Sequence, residues 1–520
     1  MALTRVTVEG GALRGALAGN QRVAVFKGVP YAAPPVGAYR WREPQPVEPW
    51  EGERTAYVWG DACFQKRVLG GGDFYQKEFY ADRTFSEDCL TANIWTSAKA
   101  PGEKQPVAVW IHGGGMQHGD CINMAYDGEA FAKRGIVFLT FGYRLNVFGF
   151  LAHRELTAER CAQTGVASSG NYAYQDILAA LRWVQRNIAA FGGDPENVTI
   201  MGQSGGAGAV MDLAAMDAAQ GLFHRCVMQS GGGLGGITGE VGVTLAEAEA
   251  IGAEFFSWMG VSHVAEAREI PGQKMVEFYY DFCRQRPRKE GDSYSPFGMN
   301  LDGWLFSDST VRRVKAGQYA DVDYLTGAMA DEFRYIMPPR SIDLEAYRRD
   351  IRAKFGCYAE QYLRAAHADT REGAEATEQS SSSDMMWASA QAFAEKQAEL
   401  GRRPAYMYYF SKPAPGEDHR GAFHSGEHAY VFQTLLRIDR PYDGRDFDLS
   451  NEICAYWTNF IKTGDPNGEG LVRWTPYTAA SPLVKEFGGE GQMRPMPETE
   501  MSAFRRDYVL DRLEEDPDEG

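Results

Sequence analysis

Val198-Thr199-Ile200-Met201-Gly202-Gln203-Ser204-Gly205-Gly206 is the stretch on which the fold turns. Residues 198–201 are β-branched or apolar, as in a buried strand, and the small residues after Ser204 open a helix. A serine therefore stands at a strand-to-helix turn, the context of a nucleophile elbow. Glycines two places before it and one and two places after it let the backbone take a strained turn that lifts the side chain clear of the sheet. The surrounding sequence repeats the pattern. PVAVWI from Pro106, IVFLTFGY from Ile136, RCVMQ from Arg225, DYLTGAM from Asp323 and AYMYYF from Ala405 read as further strands. Between them, DILAALRWVQRNIAAF from Asp176 places Ile177, Leu178, Leu181, Val184 and Ile188 on one helical face. The expected class is α/β: a mostly parallel sheet with crossover helices, in one domain over residues 1–520, with helical insertions at about 240–320 and 340–400 capping the site. The tract QSSSSD from Gln379 reads as a surface loop and the final EEDPDEG as a solvated tail.

Charge narrows the function. The chain holds 53 Lys and Arg against 70 Asp and Glu, a net charge of −17, which repels phosphate backbones and anionic lipid. No nucleic acid and no membrane is expected as a partner, and the sequence leaves the oligomeric state unknown. The longest apolar runs are strand-sized, short of the roughly 20 residues of a membrane helix. The N-terminus has no apolar core of a secretory signal, so a cytoplasmic location is expected. Eight scattered cysteines without a CxxC pair indicate neither a zinc knuckle nor a thioredoxin-like site.

A second chemical signal is His112-Gly113-Gly114-Gly115, directly after the strand VAVWI. Backbone without side chains can aim N–H groups at a developing oxyanion. With the N–H of Gly205, those of Gly114 and Gly115 make a three-donor hole.

These motifs, with FKGVPYAAPPVGAYRWREP, SEDCLTANIW, YRLNVFGFL, GAFHSGEHAYVF and WTNFIKTGDPNGEG, resemble the type-B carboxylesterases of the α/β-hydrolase superfamily along nearly the whole chain. The resemblance implies an α/β-hydrolase fold, a small-molecule ester substrate and a serine mechanism without metal or cofactor. It implies Ser204 as nucleophile and Glu332, in Gly327-Ala328-Met329-Ala330-Asp331-Glu332, as acid. Phe333 stands where the family usually has glycine, and Asp331 is the fallback acid. His424, in Gly421-Ala422-Phe423-His424-Ser425-Gly426-Glu427, is implied as base. Serine needs an imidazole to take its proton, and the imidazolium needs a carboxylate. Ser230 matches a supporting serine, Met116 and Phe297 fall at substrate-pocket positions, and Arg40 and Glu87 match a structural salt bridge. The segment between Cys63 and Cys89 resembles the family's disulfide loop. It carries Phe74, Tyr75, Phe79 and Tyr80 but no tryptophan, and Gln203 replaces the frequent glutamate before the nucleophile. Uncharged esters are therefore expected over cationic ones.

Three rivals remain at this level. His424-Ser425-Gly426-Glu427-His428 also spells the H-x-x-E-H pattern of a zinc hydrolase. Gly231 to Gly236 fits GxGxxG, although a glycine-rich wall of the acyl pocket is the preferred reading. From another class comes a catalytically silent, cholinesterase-like binding protein.

Overall fold

The computed structural model describes residues 1–511 except 20, 67–72, 80–82, 237–241, 288–294, 340, 404 and 479. The acidic C-terminal segment and Tyr80 lie outside the described residues. Eleven strands form one sheet. In chain order they are β1 (Ala16–Leu17), β2 (Ala24–Pro30), β3 (Thr91–Thr96), β4 (Gln105–Ile111), β5 (Val137–Phe141), β6 (Gly193–Gln203), β7 (Arg225–Gln229), β8 (Asp323–Met329), β9 (Tyr406–Phe410), β10 (Leu483–Phe487) and β11 (Met493–Pro495). Their spatial order is β11-β10-β9-β8-β7-β6-β4-β5-β3-β2-β1. From β5 through β10 every pairing is parallel, and antiparallel pairs close both edges.

Alternation along the central strands puts apolar side chains on both faces, as a doubly covered parallel sheet demands. Val107, Val109 and Ile111 of β4 join one core, with Leu178, Leu181 and Val184 of helix α2 below. Ala108 and Trp110 enter the opposite core, with Phe432 and Trp457. The relevant helices are α1 (Asp73–Phe79), α2 (Tyr172–Asn187), α3 (Gly205–Ala215), α4 (Leu245–Met259), α5 (Gly272–Gln285), α6 (Leu344–Phe355), α7 (Ala359–Ala365), α8 (Arg371–Glu399), α9 (His428–Val431), α10 (Gly444–Thr463) and α11 (Glu500–Asp511). α4 and α5 fall in the first stretch read as helical, and α6 to α8 in the second.

Register positions the site. Gly202 of β6 pairs with Ile111 of β4, Gln203 with Gln229 of β7, and Gln229 with Gly327 of β8. The carboxyl ends of four adjacent strands are thus level, and the loops after them meet where open α/β sheets bind ligands.

The tract QSSSSD is not a loop. It lies within the 29-residue α8, whose Ala374, Thr377, Met386, Trp387, Ala390, Phe393 and Ala394 are buried at helical spacing. Packing of that face overrides the weak helix propensity of four serines. Ser380 Oγ also donates to the carbonyl of Thr377 at 3.1 Å, a bond compatible with the helix.

One buried ion pair ties α2 to the loop after β5. Arg144 donates to both carboxylate oxygens of Asp176 at 2.7 Å, and its backbone N–H adds a third bond at 3.0 Å. Asp176 is fully buried. Removing one partner strands the other charge in a low dielectric, at a cost of about 3–5 kcal/mol. Asp176→Ala is accordingly expected to lower the urea midpoint by that equivalent, whereas Asp194→Ala, at the partly exposed start of β6, should leave it within about 0.5 kcal/mol.

Candidate active site

Ser204 has φ 56° and ψ −129°, a left-handed conformation for a residue with a Cβ. The turn is held from both sides: Ser204 N–H donates to the carbonyl of Gln229 at 2.8 Å, and Gly208 N–H donates to the carbonyl of Ser204 at 3.0 Å. Gly205 must be glycine for a reason of contact. A Cβ there would lie 2.7 Å from the backbone nitrogen of Gly115 and 3.2 Å from that of Met116. The loop after β4 therefore presses directly on the first residue of α3. Gly114 and Gly115 have φ of 108° and 59°, and nothing stands within 4 Å of a Cβ built on Gly115, which leaves its backbone open to the cleft. The three expected oxyanion donors thus belong to two loops in contact.

Glu332 and His424 are brought together by backbone before side chains. His424 N–H donates to the carbonyl of Glu332 at 2.8 Å, and Glu332 bridges Phe423 in parallel register. The fully buried carboxylate then accepts from His424 Nδ1 at 2.5 Å, and its second oxygen from the N–H of Met329 at 2.9 Å. With Nδ1 carrying the proton, Nε2 is the acceptor. Among the described residues, Ser204 Oγ makes no hydrogen bond, and Nε2 accepts from Gln203 Nε2 at 3.1 Å. Asp331 turns elsewhere: its carboxylate accepts from the N–H of Ala422 at 2.9 Å.

Phe333, the residue that departs from the family glycine, lies against the imidazole with ring centres 4.1 Å apart. Tyr75 of α1 donates to the carbonyl of His424 at 2.9 Å. Sequence reasoning assigned neither contact. The departure at position 333 was legible, but its consequence required the fold.

A cleft of about 560 Å³ opens on Ser204 and His424, with Gly113, Gly114 and Gly115 in its wall. Neither Met116 nor Phe297 lines it. Met116 instead sits with its sulfur 3.6 Å from the hydroxyl of Tyr143. Phe297 is buried among Phe255, Tyr279 and Phe282. The helices carrying those rings draw it into the core. The run Gly231–Gly236 also lies outside the cleft. Gly231 packs on the carbonyl of Ser204, while Gly233 and Gly236 pack on Ser389 of α8. Ser230 is buried beside it, its Oγ without a partner among the described residues. Cys63 and Cys89 are buried thiols, and Cys63 together with burial pushes the Cys89 thiol up. Arg40 grips Glu87 through two bonds of 2.5 and 2.6 Å.

The H-x-x-E-H spelling does not become a zinc helix. Ser425 has φ 74° and α9 begins only at His428, so the two histidines do not share a helical face. His424 meets Glu332, and His428 packs against Trp110 and Tyr126. Glu427 turns inward to accept from Gln229 at 3.1 Å.

Burial sets the charges around the cleft. It lowers His112 and His118 to about 4 and His428 to about 3, so all three are neutral near pH 7. Burial, reinforced by the negative charge of Glu332, raises Glu427 to about 8.

Residues 2–505 match the carboxylesterase family. The chain belongs to that family. It is 32% identical over 492 residues to the fumonisin B1 esterase of Sphingopyxis macrogoltabida, covering 90% of this chain and 84% of that one. It is 30% identical over 480 residues to the para-nitrobenzyl esterase of Bacillus subtilis (strain 168), covering 91% and 92%. Among solved structures, a thermophilic PNB esterase superposes with a TM-score of 0.82 at 28% identity over 97% of this chain and 99% of the other. The Geobacillus stearothermophilus carboxylesterase EST55 gives 0.78 at 30% identity over 96% and 100%. This carboxylesterase therefore has the α/β-hydrolase fold and is a carboxylic ester hydrolase. Among its described residues, no helix is long and apolar enough to cross a membrane.

Glu427 gives a pH test. The unfolded chain releases this proton near pH 4.5, whereas the folded protein retains it up to about pH 8. Across that window the unfolded state binds fewer protons, so stability falls as pH rises. Glu427→Gln keeps a hydrogen-bonding side chain and removes the titration. Urea midpoints measured from pH 5 to 8 should fall less steeply in the variant than in the wild type.

Proposed function

We propose that this carboxylesterase hydrolyses uncharged esters through an acyl-enzyme, with Ser204 as nucleophile, His424 as general base and Glu332 as its carboxylate. The observation that carries the reading is the 2.5 Å contact between Glu332 and Nδ1 of His424, an imidazole that lines the same cleft as Ser204. Ser204 Oγ attacks the carbonyl carbon as its proton passes to Nε2. The oxyanion that forms is met by the N–H groups of Gly114, Gly115 and Gly205, worth about 3–4 kcal/mol per donor in such sites. The C–O bond to the alcohol breaks as the imidazolium returns the proton to the departing oxygen, leaving an ester on Ser204. Water, deprotonated by the same imidazole, then releases the acid. The hydrogen bond from Gln203 to Nε2 belongs to the enzyme without substrate, and catalytic contacts commonly tighten only once substrate is bound.

Ser204→Ala removes one oxygen and no core packing. It should reduce hydrolysis of p-nitrophenyl esters on the order of 10⁴-fold or more while leaving the circular dichroism spectrum unchanged. Residual activity within tenfold of wild type would overturn the assignment.

Preference for neutral substrates follows from Gln203, which places an amide beside the imidazole where a glutamate would put an anion. A trimethylammonium group gains roughly 0.5–2 kcal/mol from a well-placed ring, and a neighbouring anion strengthens this. With an amide in place of that anion beside the imidazole, and the Glu378 carboxylate of the cleft wall engaged by the hydroxyls of Tyr347 and Tyr362, the neutral isostere 3,3-dimethylbutyl acetate should match or exceed acetylcholine in kcat/KM, and Gln203→Glu should move the ratio toward the cation. A tenfold wild-type preference for acetylcholine would contradict this reading.

A further inference from the structure

The serine tract that the sequence suggests is a surface loop lies instead in the wall of the cleft. Glu378, Gln379, Ser381, Ser382, Met385 and Met386 of α8 all line it. Positions 378, 381, 382 and 385 follow the helical spacing of one face, so three polar side chains and one methionine recur along a single stripe turned to the site. Each is only partly buried, as cleft-lining groups are.

Their hydrogen-bonding state is specific. Ser382 Oγ accepts from the N–H of Phe333 at 3.4 Å, and Ser381 Oγ accepts from Arg505 Nη2 at 2.9 Å. Both hydroxyls therefore keep their protons for another acceptor. Gln379 spends its amide N–H groups on the carbonyls of Arg334 and Met337, which leaves its oxygen as an acceptor. Glu378 receives the hydroxyls of Tyr347 and Tyr362 on one carboxylate oxygen, at 2.9 and 3.2 Å, and its other oxygen has no partner among the described residues. Two donors and two acceptors thus stand along one helix face, with Met385 and Met386 supplying apolar surface beside them.

The wall adjoins the base. Ser382 holds the backbone of Phe333, and the ring of Phe333 lies on the imidazole of His424. In ester hydrolysis the departing alcohol oxygen takes its proton from that imidazole, so the alcohol portion has to lie on this side of the cleft. We infer that this esterase is selective for esters whose alcohol carries several hydroxyl groups, read by Ser381, Ser382, Gln379 and Glu378 of α8. The inference rests on the Ser204–His424–Glu332 reading above and adds the substrate class. A hydroxyl of the alcohol donates to Gln379 or Glu378 and accepts from Ser381 or Ser382. An alkyl alcohol of equal length would leave those groups unpaired in the complex, and a site built to bond hydroxyls discriminates against the analogue lacking them.

The test compares kcat/KM for glyceryl monobutyrate and propyl butyrate, which share the acyl group and a three-carbon alcohol. The wild type should favour the glyceryl ester by tenfold or more. The ratio should fall at least fivefold in Ser381→Ala/Ser382→Ala, and in Ser382→Ala alone, which leaves the Arg505 contact intact. A parallel pair, p-nitrophenyl butyrate and p-nitrophenyl 3-hydroxybutyrate, should differ less than threefold. A wild-type ratio at or below one, a ratio unmoved in both variants, or a preference confined to the acyl pair would each overturn the inference. Labelling of Ser204 by a fluorophosphonate separates the two levels: a labelled, active enzyme without the preference refutes only the substrate class, whereas an unlabelled one refutes the triad.

Discussion

The close contact between Gly205 and Gly115 is the constraint on which the site depends. Two adjacent parallel strands, β4 and β6, end at the same level, and the loops beyond them must occupy one small volume. That is sterically possible only if position 205 carries no side chain, because a Cβ on Gly205 would stand 2.7 Å from Gly115 nitrogen; at Gly115 it is the φ of 59°, not contact, that favours glycine. The result is bare backbone of Gly113, Gly114 and Gly115 in the wall of the cleft. Strain at Ser204 is sustained because β6, α3 and the carbonyl of Gln229 over-determine its position.

Glu332 and His424 are organised from the other half of the sheet, again by backbone. Glu332 follows β8, and His424 comes from the long connection after β9. Backbone bonding between them at Glu332 and Phe423 sets the side chains before they meet. This explains why Asp331, adjacent in sequence, takes no part: consecutive residues along an extended segment point to opposite sides. Its carboxylate fixes the N–H of Ala422 and so steadies the very segment that carries His424.

Helix α8 lines the cleft from above the carboxyl ends of the sheet. α8 runs 29 residues over the sheet, contacts α11 through Arg505, and reaches the base through Ser382 and Phe333. The tryptophan Trp387 on the same helix donates to the carbonyl of Met329 at 2.8 Å, three residues before the acid. The wall of the cleft and the segment leading to Glu332 are therefore tied to the same helix.

The sequence by itself determined the parallel sheet, the elbow at Ser204, the glycine loop at 113–115 and, through resemblance, Glu332 and His424 as partners. These were legible because their physics is local: a φ allowed or forbidden, a strand followed by a turn, a donor with no side chain beside it. Tertiary structure alone decided the surroundings of the imidazole and the lining of the cleft. Phe297 went to the interior among neighbouring rings, and half-buried Met116 turned to Tyr143. The serine tract became helix, because the buried face of α8 outweighs four weak formers. Phe333 came to lie on His424, and Ser382 against the backbone of Phe333, across 91 and 49 positions of chain. Contacts at such separations depend on how helices dock over a sheet, and no local preference encodes that.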